Sequence, residues 1–227
     1  MSLNTSPERE YVERLRQLDS CAVSDAMDRL GCIGLVGGLP QRSGKRRIAG
    51  RVVTVKLGTG LPPAESAKHL GCTAIESAGP DDVIVVEQKT GVEAGCWGGL
   101  LSLGAMVRGV AGVVADGPVR DIDEAITYGL PIFSRSLTAA TARGRVVEQG
   151  TNIPIRIGQV DVYPGDYVIA DRSGVVFVAA SMIQRVIETA EIIADKEFTM
   201  SKAILAGIPI GHVMGGDYEH MLDIRNG

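Results

Sequence analysis

With 227 residues, 45% of them hydrophobic and 22% charged, the chain can bury a large core, which excludes a disordered polymer and fits a single domain over 1–227. A net charge of -4, with no run of like charge longer than Lys45-Arg46-Arg47, excludes a broad phosphate-binding surface, so nucleic acid is not expected as a direct ligand. Residues 1–20 are polar and charged and no apolar stretch approaches bilayer length, so a soluble cytoplasmic protein is expected, without membrane contact.

The elements follow in chain order. After a frayed start at 1–6, Tyr11, Leu15 and Leu18 fall at helical spacing between charges and predict a surface helix over 7–18. Val23, Met27 and Leu30 repeat that spacing after Ser20 and stop at Gly31, giving a second helix with Asp25 and Asp28 on its exposed face. Residues 34–44 read as loop, because Gly37-Gly38 and Pro40 break any regular element, and the Val-rich segment 48–57 reads as a strand. Pro62-Pro63 opens a third helix, with Ala67, Leu70, Ala74 and Ala78 at spacings of three and four before Gly79-Pro80.

The apolar run 83–87 predicts a buried strand, 91–99 a loop with four glycines, and 100–110 a helix. Residues 111–115 are small and apolar throughout, as in a strand covered on both faces, and a charged loop and a short helix over 121–128 follow. From 132 to 180, β-branched and aromatic residues between turn signals predict short strands, antiparallel in part. Ser181 caps a long helix with Ile183, Ile187, Ala190 and Ala194 on its core face, running past Phe198, and the tail 207–227 has no periodicity. The fold class is α/β.

Chemistry concentrates between Gly95 and Asp123. In Asp116-Gly117-Pro118-Val119-Arg120-Asp121 a carboxylate beside a guanidinium offers a hard oxygen ligand for Mg2+ or Mn2+ and a planar fork for a carboxylate or enolate. Upstream, Gly95-Cys96-Trp97-Gly98-Gly99-Leu100-Leu101 meets a helix start, where free backbone N–H groups attract an anion. Arg120 and Asp121 read equally as a loop salt bridge with capping duties. Trp97 reads either as an apolar wall of that site or as core. His69, His212 and His220 share no ligand spacing and read as surface residues, and Lys68, Lys89 and Lys196 as solvated. Cys21, Cys32, Cys72 and Cys96 read as reduced thiols, buried as small hydrophobes.

Taken together, the Gly-rich turn, Asp-Gly-Pro-Val-Arg-Asp, Val-Ser-Asp-Ala-Met-Asp-Arg-Leu-Gly (23–31) and Pro-Gly-Asp-Tyr-Val-Ile-Ala-Asp-Arg-Ser-Gly-Val-Val (164–176) resemble one family. It unites 4-hydroxy-4-methyl-2-oxoglutarate aldolases with the regulator of ribonuclease E activity A, and the match runs over about 18–206. The resemblance implies a swivelling β/β/α domain with mixed sheets, N-terminal helices and a long C-terminal helix. It also implies a homotrimer or dimer of trimers with sites between subunits. In the aldolase branch it implies Mg2+-dependent cleavage of small 4-hydroxy-2-oxo acids to pyruvate, and decarboxylation of oxaloacetate.

By the same resemblance Asp121 is the metal ligand and Arg120 holds the pyruvyl oxygens. Leu100 and Leu101 carry the substrate carboxylate on backbone amides, with Gly98 and Gly99 beside them in the substrate site. Glu197 reaches a neighbouring subunit from the C-terminal segment 181–227. The sequence departs from the family at one place. The aldolases' acid, separated from Arg-Asp by twenty residues, falls here on Gly99, and Glu93 in the same loop is either its substitute or solvated. Two readings therefore stand: a metal-dependent lyase acting on a small oxoacid, and a non-catalytic protein-binding regulator on the same fold.

Overall fold

A computed structural model of the chain describes residues 6–61 and 68–215. The expectations for 1–5, for Pro62, Pro63 and Ala67, and for the end of the tail with His220 lie outside the described residues. In chain order the elements are α1 (Pro7–Leu15), α2 (Ser20–Arg29), β1 (Leu35–Val36), β2 (Gln41–Ser43), β3 (Ile48–Gly58), α3 (Cys72–Ser77), β4 (Asp82–Glu87), α4 (Gly99–Val107) and β5 (Gly112–Val119). They continue as α5 (Ile122–Tyr128), β6 (Ile132–Leu137), β7 (Val147–Thr151), β8 (Ile155–Ile157), β9 (Val160–Val162), β10 (Tyr167–Ala170), β11 (Val175–Val178), α6 (Ile183–Leu205) and α7 (Ile210–Val213).

Among the described residues, nine strands form one mixed sheet in the order β1-β11-β10-β3-β4-β5-β6-β2, with β7 added along β3. Strands β3 to β6 run parallel, and antiparallel strands extend both sides. Parity along β3 shows how the layers divide. Val53, Val55 and Leu57 join the core under α3 and α4, and Ala49 joins the core under α1, α2 and α6. Ile48 and Val52 join a third core on the opposite face, closed by the β8–β9 hairpin through Ile155, Ile157, Val160 and Val162. Side chains on a strand alternate between faces, so the apolar residues of β3 are shared between a helix layer and a hairpin layer.

Several expectations change on contact with the tertiary structure. The glycine-rich stretch at 34–44 contains β1 and β2, because β11 and β6 offer edges that short segments can pair with despite poor local propensity. The third helix is only six residues long and starts after Gly71, whose φ of 79 no helix interior adopts. Asp19 caps α2 by accepting from the Ala22 N–H, while Ser181 does not cap α6, whose N-cap is Met182 with no side-chain bond. Of the cysteines only Cys96 is buried; Cys21 is exposed and the other two are half-buried. No helix among the described residues is long and apolar enough to cross a membrane.

Candidate functional site

The site is built at the carboxyl end of β5, and strand parity decides which residues belong to it. Val113, Ala115 and Val119 face the helix layer, whereas Val114 faces the hairpin layer. Asp116 shares the parity of Val114 and turns the same way. Its Oδ1 accepts from Arg135 Nε at 2.5 Å and its Oδ2 from the Gly158 N–H at 2.7 Å, with Lys89 Nζ at 3.7 Å. The sequence placed Asp116 on a loop with Arg120 and Asp121. Instead β5 continues through Pro118 to Val119, past an irregularity in its pairing with β6, and this buried carboxylate anchors the hairpin.

Beyond Val119 the chain turns toward the helix layer, and the Gly-rich turn is fastened against it. The Cys96 N–H donates to Pro118 O, the Arg120 N–H to Trp97 O, and the Gly95 N–H to Ala140 O, each at 2.8 to 3.0 Å. Asp121 takes a left-handed conformation (φ 53, ψ 44) as N-cap of α5, a geometry that aspartate tolerates better than most side chains. Its Oδ2 accepts from the Gly99 N–H at 3.0 Å and its Oδ1 from Arg120 Nε at 3.1 Å. Two glycines are crowded by contact rather than fixed by backbone angle: a Cβ on Gly95 would stand 2.9 Å from Arg120 Cγ, and one on Gly98 2.9 Å from Asp121 Oδ2.

These partners set the electrostatics. The Gly99 amide, and after it the Arg120 guanidinium, hold the Asp121 carboxyl below the usual aspartate range against a partial desolvation, so it is ionised at neutral pH. Arg120 engages Asp121 through Nε, leaving its terminal amino groups for a ligand. At the start of α4 the first N–H groups have no acceptor within the helix. Gly99 gives its own to Asp121, while those of Leu100 and Leu101 remain for an anion. Trp97 satisfies both readings made of it, being 1% exposed with Nε1 donating to Ser102 Oγ and also walling the cleft.

The cleft itself has a volume of about 610 Å³, and His69, Thr141 and Arg143 line it with Arg120 and Asp121. His69 is exposed, as the sequence reading has it, while Thr141 and Arg143 are not singled out by that reading. Their only local signal was polarity, and it is the loop after β6, tied by Ala140 to Gly95, that brings the latter two to the cleft. Glu93 does not line the cleft; it is exposed and accepts from Thr138 Oγ1. Glu197 does not line the cleft of its own chain either. It lies on α6 near Asp19 and Asp25, its carboxyl pushed up by burial first and by those charges second.

A divalent cation can be tested against these donors. Among the described residues no group of three His, Cys, Asp or Glu side chains converges to hold one. Asp121 is ionised and each of its oxygens keeps a lone pair beyond the single bond it accepts, which fits an Mg2+ held by one carboxylate with substrate and water completing the shell. Gly99 offers no room for a second acid without adjustment, since a Cβ there would lie 3.2 Å from Asp121 Cβ and 3.4 Å from Glu124 Cβ.

The same architecture recurs in known proteins. Streptomyces coelicolor RraAS2, described as an unusual member of the RNase ES inhibitor RraA protein family, superposes with a TM-score of 0.74 at 26% identity, over 86% of this chain and 98% of that one. A putative 4-hydroxy-4-methyl-2-oxoglutarate aldolase of Halalkalibacterium halodurans is 28% identical over 184 residues, 81% of this chain and 83% of its own. Protein DlpA of Legionella pneumophila is 27% identical over 216 residues, 90% of this chain, which spans only 34% of DlpA's length. Relatives named as aldolases and relatives named as RNase inhibitors thus share one fold with this chain. The model of the RraA-like family, Aldolase/RraA, matches residues 20–177, the span from α2 to β11 that contains the whole cleft, and the chain belongs to that family.

Proposed function

We propose that the chain is a divalent-metal-dependent lyase that cleaves or decarboxylates small 4-hydroxy-2-oxo acids or oxaloacetate to pyruvate. The observation that carries this reading is the Arg120–Asp121 pair, 3.1 Å apart, held beside the open amides of α4. The Leu100 and Leu101 N–H groups bind the carboxylate of the oxoacid, where the helix dipole favours negative charge. Arg120 stabilises the charge that develops on the 2-oxo oxygen as the C–C bond breaks, a fixed donor aimed at a developing anion. Asp121 would hold Mg2+ or Mn2+, which when bound supplies Lewis-acid polarisation of the oxoacid. Arg143, which also lines the cleft, takes the distal carboxylate of a dicarboxylic substrate.

The same reading makes the active species a homotrimer or dimer of trimers with Glu197 completing a neighbour's site. Two features support it. Core residues of α6 stop at Ile193, and beyond them Phe198 and Leu205 are exposed, as is Leu100 at the cleft mouth. Apolar side chains in such numbers are commonly covered by another chain.

The test is pyruvate release from oxaloacetate and from 4-hydroxy-4-methyl-2-oxoglutarate, with Mg2+ and with a chelator. Chelator-sensitive turnover supports the lyase. No release from either substrate with any divalent metal supports the second reading, a protein-binding regulator without catalysis, which Gly99 favours by standing where the aldolases carry an acid.

A further inference from the structure

A second depression, of about 570 Å³, lies at the other end of the sheet and shares no lining residue with the cleft. Its floor is Ile48 and Ala49 at the start of β3, Pro80 and Gly109 in the turns entering β4 and β5, and Ala111 just ahead of β5. Eight residues of β5 at roughly 3.3 Å each put about 26 Å between this end of the strand and the Arg120 end.

Its charged lining is Arg16, Arg46 and Arg47, with no carboxylate among the lining residues. Arg16 is fixed by Asp81 Oδ1 at 3.1 Å and by Pro80 O at 2.9 Å. Arg46 and Arg47 are fixed differently. Arg47 donates to Leu18 O, Arg46 makes only a long contact of 3.5 Å with Ala111 O, and neither forms an ion pair among the described residues. A guanidinium has five N–H donors, so one bond to a carbonyl orients the fork without neutralising it. Freely solvated arginines on a convex surface would lack both features seen here, the backbone anchors and a concavity with a floor of small residues that a ligand can approach.

We propose that this pocket is a binding site for a small phosphate-bearing ligand, gripped by the Arg46 and Arg47 forks with Arg16 behind them. Its volume falls in the range of small-molecule sites, and planar forks match the oxygens of phosphate. The run at 45–47 is too short for a nucleic-acid surface, and a pocket of this size needs no more than that.

Titration calorimetry of the metal-free protein with inorganic pyrophosphate at low ionic strength tests this. Saturable binding is expected, weakened at least about tenfold in the double variant Arg46→Gln/Arg47→Gln and kept within about threefold in Arg120→Gln. Both substituted arginines are exposed, and circular dichroism melting checks that the double variant is folded. The proposal is overturned by absence of saturable binding, by equal binding in the double variant, or by loss in Arg120→Gln alone, which would put the anion in the first cleft. Citrate binding more tightly than pyrophosphate would overturn the assignment to phosphate.

Discussion

The Gly99 N–H and Asp121 Oδ2 meet at 3.0 Å, so the first turn of α4 and the loop leaving β5 position one another. Gly98 sits beside this bond with φ -151, an extended backbone that alanine adopts freely, and what opposes substitution is chiefly the Cβ contact with Oδ2, with a lesser one at 3.3 Å to Arg120 Cγ. Because that oxygen is the far end of a side chain that can swing aside, Gly98→Ala should cost little stability, shifting Tm by less than about 3 °C. Pyruvate release should fall at least about tenfold, because the carboxylate leaves its amide. Unchanged kinetics would show that Asp121 needs no fixed position.

Asp121→Asn keeps the left-handed residue, which asparagine also tolerates, and removes the charge. Metal-dependent turnover should disappear with the melting curve nearly intact. Arg120→Lys keeps charge and loses the planar fork, so kcat/KM should drop by at least about tenfold. A lysine variant with full kcat and a small rise in KM would reduce Arg120 to a source of positive potential.

Asp121 also predicts a pH signature. Its folded carboxyl lies below its unfolded value, so its contribution to stability is complete above the ordinary aspartate value of about 3.9 and is lost as pH falls through the lower folded value. Melting curves of the native chain and Asp121→Asn should therefore differ most near neutrality and converge toward pH 2. The difference will be a few °C at most, because the side chain is about a third exposed and screened. A gap that widens in acid contradicts the assignment.

The shared site can be tested by complementation. Glu197→Ala and Asp121→Ala chains, each inactive alone, should regain activity when mixed under conditions that exchange subunits, with about a quarter of sites intact for random pairing around a ring. Demonstrated exchange without any recovery would return Glu197 to a helix residue that serves its own chain.

Thiol labelling separates the cysteines. Burial pushes the Cys96 thiol up to about 12, whereas Cys21 is exposed. At pH 8 the native protein should label fast at Cys21 and only on unfolding at Cys96. Early modification of Cys96 would mean that the Gly-rich turn opens in the native state.

Much of this architecture is legible in the residues alone. The runs 83–87 and 111–115 mark the buried parallel strands, and the adjacent Arg120 and Asp121 with four upstream glycines mark the two segments that the structure brings together. What was illegible depended on partners distant in sequence. The segment after Ala115 reads as a charged loop, yet β6 carries β5 on through Pro118. β1 and β2 exist because other strands present edges, and Ser181 lost the capping role because α6 begins later than its best local signal. His69, Thr141 and Arg143 carry no spacing at all, since three separate loops have to fold before they share a wall with Arg120.

Alternation along β5 has one further consequence. Asp116 and Asp121 are near neighbours in the chain but serve opposite sides of the sheet, one fastening a hairpin and the other facing the cleft. Changes to β8 and β9 and changes around Arg120 act on opposite faces of the sheet, so their effects on stability should largely add. Such insulation lets a lineage alter, blunt or abandon its chemistry while the body that displays it persists. A single ancestral scaffold can in that way furnish descendants that catalyse and descendants that merely bind.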